Sequence, residues 1–107
     1  MVTQSDIFHA VSDATRRAIL DQLSRGDRQA GQIANAFPIS RPAISKHLRV
    51  LREASLVSER QEGRNRVYRL NAERLREVDA WLKNYRRFWT ANLASLKSHV
   101  ESQGKHK

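Results

Sequence analysis

The sequence predicts one compact, mainly α-helical domain that carries a single small β-hairpin. Apolar residues recur three or four positions apart through most of the 107 residues, and one stretch, residues 56–70, alternates with a period of two instead. Only 4 Gly and 2 Pro interrupt the chain, and Gly26 and Pro38 fall where turns between helices are needed. With 39% hydrophobic residues, a chain of this length can build one core but not two. We therefore predict one domain over residues 1–102 and a disordered polar tail over residues 103–107.

Two helices are predicted in the first 26 residues. The first contains Ile7 and Phe8 and ends at Ser12 and Asp13, either of which can accept hydrogen bonds from the free amides that begin the next helix. Gly26 supplies a left-handed stop for the second helix. The apolar stripe of that second helix is formed by Ala18, Ile19, Leu20 and Leu23.

A short helix, a tight turn and a longer helix follow. The short helix covers residues 29–37 and is closed by a proline. Ser40 or Arg41 caps the longer helix over residues 41–54, and Pro42 in its first turn lacks only an amide hydrogen that has no helical partner there. The buried stripe of this longer helix is formed by Ile44, Leu48 and Leu51.

A hairpin and a long helix complete the predicted domain. Residues 56–60 and 66–70 form two strands, and residues 61–65, which contain Gly and Asn, form the turn between them. Asn71 caps the last helix. Because a chain of 107 residues cannot cover so long an apolar stripe, we predict that a second copy covers it. The stripe consists of Leu75, Val78, Leu82, Tyr85, Trp89, Leu93, Leu96 and Val100.

The charge balance favours a polyanionic partner. The chain has 20 Lys and Arg against 11 Asp and Glu, which gives a formal net charge of +9. Nucleic acid and anionic membranes both attract such a surface, and composition does not choose between them. No apolar run reaches the length of a membrane span and the first residues lack a signal-peptide pattern, so we predict a cytoplasmic protein without a membrane partner. The absence of cysteine excludes disulfides and thiolate metal sites.

The outward side of residues 41–54 favours double-stranded DNA as that partner. With its apolar stripe turned to the core, this helix presents basic and hydroxyl side chains from its N-terminal half, as a reader of the major groove requires. Arg41 can pair with guanine, Ser45 can bond a base edge or a phosphate, and Pro42 can contact a thymine methyl group. Helix, turn, basic helix and basic hairpin in this order predict a winged helix-turn-helix DNA-binding protein.

Other basic residues are expected to meet phosphates, which set the register of the protein on the duplex. Lys46, Arg49 and Arg52 are assigned to this role, and His47 either shares it or packs beside its helical neighbours. The hairpin adds four arginines beside the helix, of which the two nearest the tip are expected to contact the backbone or the minor groove. These four are Arg60, Arg64, Arg66 and Arg69, and the two at the tip are Arg64 and Arg66.

Two segments resemble the ArsR/SmtB family of bacterial repressors. Residues 13–20 read DATRRAIL and residues 40–57 read SRPAISKHLRVLREASLV, and the second segment resembles the family's recognition helix running into its wing. Residues 62–64 and 67–70 match the wing, so the similarity covers about residues 5–90. The amino-acid sequence of the matched segments is most similar to the cysteine-free, SdpR-like autorepressor branch of that family.

The resemblance implies a homodimer, built through its first and last helices, that sits on a palindromic operator and represses transcription. It does not imply a metal. The metal-sensing members carry a Cys-x-Cys pair where this chain has Gln29 and Gly31, and of a second family site only Asp79 remains. We therefore predict no metal and no cofactor. The DNA contacts implied by the resemblance fall on Arg41, Pro42, Ser45 and Lys46.

The aromatic residues of the last helix have two interpretations. They can line a pocket between subunits for a small aromatic or hydrophobic effector, or they can form the core of a dimer interface. We favour the dimer, and nothing else in the sequence indicates a small-molecule effector. The predicted interface consists of Phe8, Leu75, Val78, Leu82, Tyr85 and Trp89.

The sequence does not indicate an enzyme. It contains neither a group of nucleophile, base and orienting residue nor a glycine-rich phosphate loop. Two further alternatives remain open. One is a basic protein-interaction module, such as an antitoxin or adaptor, that uses the last helix and binds DNA only non-specifically. The other is an RNA-binding winged helix, which would need more exposed aromatic residues on the hairpin than Tyr68.

Overall fold

A computed structural model describes residues 2–90, and the chain divides into two compact units with the boundary between Glu77 and Val78. The first unit contains a three-stranded antiparallel sheet with strand order β1-β3-β2. The mainly helical fold with a hairpin is therefore confirmed, with one additional short strand. The elements are α1 (Gln4–Val11), α2 (Ala14–Leu23), β1 (Arg28–Gln29), α3 (Ala30–Asn35), α4 (Arg41–Glu53), β2 (Val57–Glu62), β3 (Asn65–Leu70), a 3₁₀ turn (Ala72–Leu75) and α5 (Arg76–Lys83).

Side-chain caps fix where the first two helices begin. The Thr3 hydroxyl accepts a hydrogen bond from the Asp6 amide at 3.2 Å, and the Asp6 carboxylate accepts one from the Thr3 amide at 2.9 Å. Of the two residues predicted to cap α2, Asp13 does so, accepting from the Arg16 amide at 2.9 Å. That hydrogen bond holds the pKa of Asp13 below its usual value because it stabilises the carboxylate.

The core lies where the helices of the first unit meet the hairpin. The predicted stripe of α4 is confirmed, and in α2 three of the four predicted residues are buried. Leu56 and Val57, at the start of the hairpin, are also removed from solvent. The largest fully buried side chains come from five helices and strands and one connecting residue, and they are Ile7, Ile19, Ile33, Ile44, Leu51, Leu56 and Val57.

Arg16 is the one buried charged residue in the part of the chain that the structure describes, with 8% of its surface exposed. Its Nε donates to the Ala10 carbonyl at 2.8 Å and its Nη2 donates to the His9 carbonyl at 3.0 Å. Those carbonyls belong to the last turn of α1, where the helix supplies no amide donor four residues further on. A third contact, at 3.3 Å, joins Nη1 to the His47 ring in α4. Arg16 thus ties three helices together.

The helix predicted over residues 29–37 is shorter than expected. Its residue Gln29 is extended, with φ −72° and ψ 151°, and α3 ends before the C-cap Ala36. Arg28 and Gln29 instead form β1, which pairs with Tyr68 and Val67 on the open edge of β3. A strand of two residues is too short to produce a periodic signal, so the sequence could not reveal it.

The hairpin is longer and its turn tighter than predicted. The five-residue turn expected over residues 61–65 is wrong, because the pairing of β2 with β3 continues to Glu62 and Asn65. Only Gly63 and Arg64 remain in the turn, and Gly63 has φ 61°. A two-residue turn with positive φ at its first position follows the right-handed twist of the strands and favours glycine there.

Ser55 ends α4 in a left-handed conformation, with φ 60°. The Leu56 amide donates to the Leu51 carbonyl at 3.0 Å and the Ser55 amide donates to the Arg52 carbonyl at 2.9 Å, which is a Schellman ending. A Cβ at this position costs about 1 kcal/mol that glycine avoids. The turn sends the chain from α4 directly into β2 and so sets where the hairpin lies beside the helix.

Replacing Ser55 with glycine should therefore stabilise the protein. We expect Ser55→Gly to raise the free energy of unfolding by about 0.5 to 1 kcal/mol in urea denaturation. The matched control is Ser58→Gly in β2, where the backbone is extended and glycine should lower stability by about 0.5 to 1 kcal/mol. A loss of stability in Ser55→Gly would show that the serine side chain contributes more than the backbone strain costs.

The last helix is neither capped nor continuous as predicted. The Asn71 side chain makes no cap; its Nδ2 donates to the Ser55 carbonyl at 3.3 Å, and the chain enters α5 through a 3₁₀ turn. In the second unit, the amides of Asn84 and Tyr85 donate three residues back, at 3.2 and 2.8 Å, so α5 ends at Lys83 and helical structure resumes over residues 86–90. The predicted stripe residues Leu93, Leu96 and Val100 and the predicted tail lie outside the described residues. Within residues 2–90, no helix has the length and hydropathy needed to cross a membrane.

Candidate nucleic-acid interface

Helices α3 and α4, with the turn of residues 36–40 between them, form a helix-turn-helix. The Ser40 hydroxyl accepts from the Ala43 amide at 3.3 Å and caps α4, which settles the predicted choice between Ser40 and Arg41. Since Ile44, Leu48 and Leu51 are buried, the opposite side of α4 faces solvent. The exposed side chains include the predicted contacts Arg41, Pro42, Ser45, Lys46 and Arg49.

His47 points away from this exposed face. Its Nδ1 atom lies 3.3 Å from Arg16 Nη1 and 3.9 Å from Asp13 Oδ2, and its side chain is only 21% exposed. Of the two predicted roles for His47, the geometry therefore favours packing. The packing partners are Arg16 in α2 and Asp13 at its N-cap, whereas the sequence suggested neighbours within α4 itself.

A cleft of about 460 Å³ separates the exposed face of α4 from β3. Three arginine or lysine side chains that line the cleft, Arg49 among them, come from α4, and one arginine comes from the hairpin. Four cations around one opening make a surface that suits a phosphate backbone. The polar residues that line it are Ser45, Lys46, Arg49, Arg52, Arg66 and Tyr68.

The hairpin arginines do not all face this cleft. Arg66 lines it with its side chain 60% exposed, and Arg64 is exposed in the turn at the wing tip. Arg60 instead donates to Asp27 at 2.8 Å and to Glu62 at 2.6 Å. These two carboxylates, Asp27 first, raise the pKa of Arg60 further above its usual value. Arg60 thus anchors the hairpin to the segment before β1.

Sequence reasoning missed Glu59, which lies among the cations beside the cleft. Its Oε1 atom is 3.0 Å from Arg52 Nη1 and its Oε2 atom is 3.6 Å from Arg66 Nη1. Burial, followed by the adjoining Glu59 carboxylate, raises the pKa of the Tyr68 hydroxyl. The available signal was an acidic residue two positions after the inward-facing Val57, in a hairpin that also carries four arginines.

The predicted dimer residues fall in both units. In the first unit, Phe8 and Leu75 are half-buried. In the second unit, Val78 and Leu82 are half-buried, whereas Tyr85 and Trp89 are 44% and 40% exposed. The second unit also has a shallow apolar recess of about 330 Å³. The residues that line this aromatic face are Trp81, Leu82, Tyr85, Phe88 and Trp89.

Candidate metal ligands are few in the described part of the chain. Over residues 2–90, no three His, Asp or Glu side chains lie close enough together to hold a metal ion. Asp79, the residue retained from the second family site, pairs with Arg86. Gln29 precedes α3, and its amide donates to the Gln32 side chain at 2.8 Å.

Comparison with known proteins finds similarity along most of the chain. The profile described as "Bacterial regulatory protein, arsR family" matches residues 13–59. The HTH-type transcriptional regulator Rv2034 of Mycobacterium tuberculosis is 40% identical over 97 residues, which are 91% of this chain and 88% of that protein. The transcriptional repressor SdpR of Bacillus subtilis is 43% identical over 81 residues, 76% of this chain and 90% of that protein.

Solved structures show the same architecture. An ArsR-like transcriptional regulator from Rhodococcus sp. RHA1 has a TM-score of 0.68 at 36% identity, with 89% of this chain and 90% of that chain covered. The solution NMR structure of Mb0332 (fragment 1–100) from Mycobacterium bovis has a TM-score of 0.63 at 25% identity, with 80% and 82% covered. That structure is described as a homodimeric winged helix-turn-helix DNA-binding domain.

The helix-turn-helix, the basic hairpin and the exposed cations of α4 define a winged helix-turn-helix DNA-binding protein. The match to Rv2034 extends over nearly all of both chains, which fixes the family. The protein belongs to the ArsR family of bacterial transcriptional regulators, as the resemblance predicted, and this is a family of regulators rather than of enzymes.

Proposed function

We propose that the protein is a homodimeric repressor that binds a palindromic operator in the bacterial cytoplasm. Residues 41–54 act as the recognition helix and residues 56–70 act as the wing. The observation that carries this proposal is the exposed basic face of α4, which borders a cleft with Arg66 of the hairpin on its far side. A major groove admits one helix, and a neighbouring hairpin then reaches the adjacent backbone.

Within this interface we assign different tasks to different side chains. Arg41, Pro42 and Ser45 stand at the exposed N-terminal end of α4, which is the end that recognition helices direct at base edges. Lys46 and Arg49 stand further around the exposed face and are assigned to phosphates. Arg64 and Arg66 of the wing are assigned to the backbone or the minor groove. His47, which faces Asp13 and Arg16, acts by holding α4 in place.

A second copy of the chain is the partner that we propose for the aromatic face. Four large side chains of the second unit are 40% to 60% exposed within a single chain. Contiguous exposed apolar surface of this kind favours association, and an identical chain provides a matching surface by two-fold symmetry. The similar domain Mb0332 is itself described as homodimeric, which supports the proposal.

Selection of bound fragments from a pool of random duplexes at physiological salt tests the operator. We expect enrichment of a sequence with two-fold symmetry, whose half-sites lie about 34 Å apart along one side of the duplex. Enrichment of an asymmetric sequence would contradict the two-fold arrangement. Weak binding to all sequences without enrichment would favour the alternative of a basic protein-interaction module.

Two substitutions separate base reading from phosphate binding. Arg41→Ala should lower affinity for the selected duplex by about 1 to 3 kcal/mol and relax the preference at one base pair of each half-site. Arg49→Gln should weaken selected and scrambled duplexes alike and reduce the salt dependence by about one ion per subunit. Fluorescence anisotropy titrations at several salt concentrations measure both. If Arg41→Ala lost equal affinity for the selected and the scrambled duplex, Arg41 would be assigned to the DNA phosphate backbone instead.

A further inference from the structure

We infer that Glu59 is a positioning residue for DNA recognition: it holds Arg52 of the recognition helix and Arg66 of the wing, and it disfavours loosely bound phosphates in the cleft. This inference rests on the proposed function, because it concerns how the same helix and wing choose among duplexes. It assigns a negative group to a surface whose other charged side chains are positive.

Strand alternation brings Glu59 to this position. In β2, Val57 is buried against the core and Glu59 lies two residues further on the same face. Glu59 is paired across the hairpin with Tyr68, and Arg66 lies two residues from Tyr68 along β3. Arg60, the next residue in β2, points to the other face and binds Asp27. The hairpin therefore separates two of its arginines, with Arg66 on the face turned to α4 and Arg60 on the opposite face beside Asp27.

The contacts of Glu59 join α4 to β3, which are separated along the chain by the turn at Ser55, β2 and the hairpin turn. Its carboxylate lies 3.0 Å from Arg52 Nη1 in α4 and 3.6 Å from Arg66 Nη1 in β3. The Oε2 atom is removed from solvent, and only 27% of the side chain is exposed. A partly buried carboxylate interacts more strongly with neighbouring cations than an exposed one, because water screens it less.

The carboxylate also offsets the repulsion between two arginines that converge on one cleft. Without it, Arg52 and Arg66 would move apart into solvent, where each could meet any nearby phosphate. With it, both guanidinium groups stay oriented. A phosphate then makes a favourable contact with them only where its position matches theirs. The same negative charge repels misplaced phosphates, so Glu59 lowers non-specific affinity while it supports specific binding.

Glu59→Gln tests this role with two duplexes of equal length, the selected operator and a scrambled sequence. We expect weaker binding to the operator, tighter binding to the scrambled duplex, and a fall of about tenfold in the ratio of the two affinities. The salt dependence on scrambled DNA should steepen by about one ion per subunit, because freed arginines neutralise additional phosphates. Circular dichroism at the assay temperature verifies that the variant is folded.

The matched control is Glu73→Gln, which makes the same change in net charge at a side chain 84% exposed in the 3₁₀ turn. It should leave the affinity ratio unchanged. A parallel rise of both affinities in Glu59→Gln would mean that Glu59 acts by general repulsion alone and would overturn the positioning role. An unchanged ratio in a folded Glu59→Gln would overturn it as well.

Glu59→Asp keeps the charge and shortens the side chain, so it separates position from charge and serves if the glutamine variant does not fold. We expect a reduced affinity ratio with wild-type binding to scrambled DNA. If Glu59→Asp kept the wild-type ratio of operator affinity to scrambled-duplex affinity, negative charge alone would be enough for discrimination. That result would overturn the inference. If the wild-type protein itself binds the operator and the scrambled duplex with nearly equal affinity, the proposed function is wrong, and this inference is wrong with it.

Discussion

Leu82→Asp should convert the protein into monomers and abolish tight operator binding. The substitution places a carboxylate on the aromatic face of the second unit, where we propose that a second copy packs. Burying an unpaired carboxylate in an apolar interface costs several kcal/mol, so the dimer dissociation constant should rise at least about 100-fold. Sedimentation at micromolar concentration should give the mass of one chain, and Trp89→Asp should behave in the same way.

The affinity for the operator should also fall when the dimer is lost. A monomer contacts one half-site and loses the gain that comes from linking two binding events, which is about 100-fold or more. The control is Asn84→Asp, which adds the same charge at an exposed neighbouring position. It should remain dimeric. A dimer that persists in both Leu82→Asp and Trp89→Asp would move the interface elsewhere and return the aromatic face to the effector interpretation.

Arg16→Met should destabilise the fold more than any surface substitution. Methionine retains much of the side-chain bulk but leaves the buried Ala10 carbonyl without its donor at 2.8 Å and removes the link to His47 in α4. We expect the free energy of unfolding to fall by about 3 kcal/mol, because a buried acceptor that loses a charged donor loses both the bond and its hydration. The midpoint of thermal unfolding should fall by about 15 °C.

Arg17→Met is the matched control, since Arg17 Nη1 donates to the Val11 carbonyl at 2.9 Å on the exposed side of the same helix. Water can replace that donor, so the change should be within about 0.5 kcal/mol. Both variants must be compared at one protein concentration, because the unfolding of the dimer that we propose depends on concentration. Equal effects of the two substitutions would contradict the structural role assigned to Arg16.

The position of Arg16 links this stability to the proposed interface. Asp13 caps α2 and lies 3.9 Å from His47, while Arg16 contacts the same ring from one helical turn further on. The inner side of α4 is therefore held by α2, and its outer side is left to present Arg41 and Ser45. A loosened α4 in Arg16→Met should also weaken operator recognition in the fraction that remains folded.

Local patterns predicted most of the helices and the outer face of α4. The three-and-four spacing of Ile44, Leu48 and Leu51 identified the buried side, and Ser40 with Pro42 identified where the helix begins. Once the buried side is known, helical geometry dictates which cations face outward. The same local information could not fix the hairpin turn, because whether residues 61–65 pair or loop depends on register between strands.

The sequence by itself determined the class of fold, the caps and buried stripes of α2 and α4, and the basic character of the exposed face of α4, since each depends on neighbours within a few positions. Tertiary structure alone decided that Arg28 and Gln29 add a strand to β3, that His47 faces Arg16 across 31 positions of sequence, and that Glu59 lies between Arg52 and Arg66. These contacts join separate elements. Which residues of two separate elements come into contact depends on how the whole chain folds. Local periodicity in the sequence carries no information about such long-range contacts.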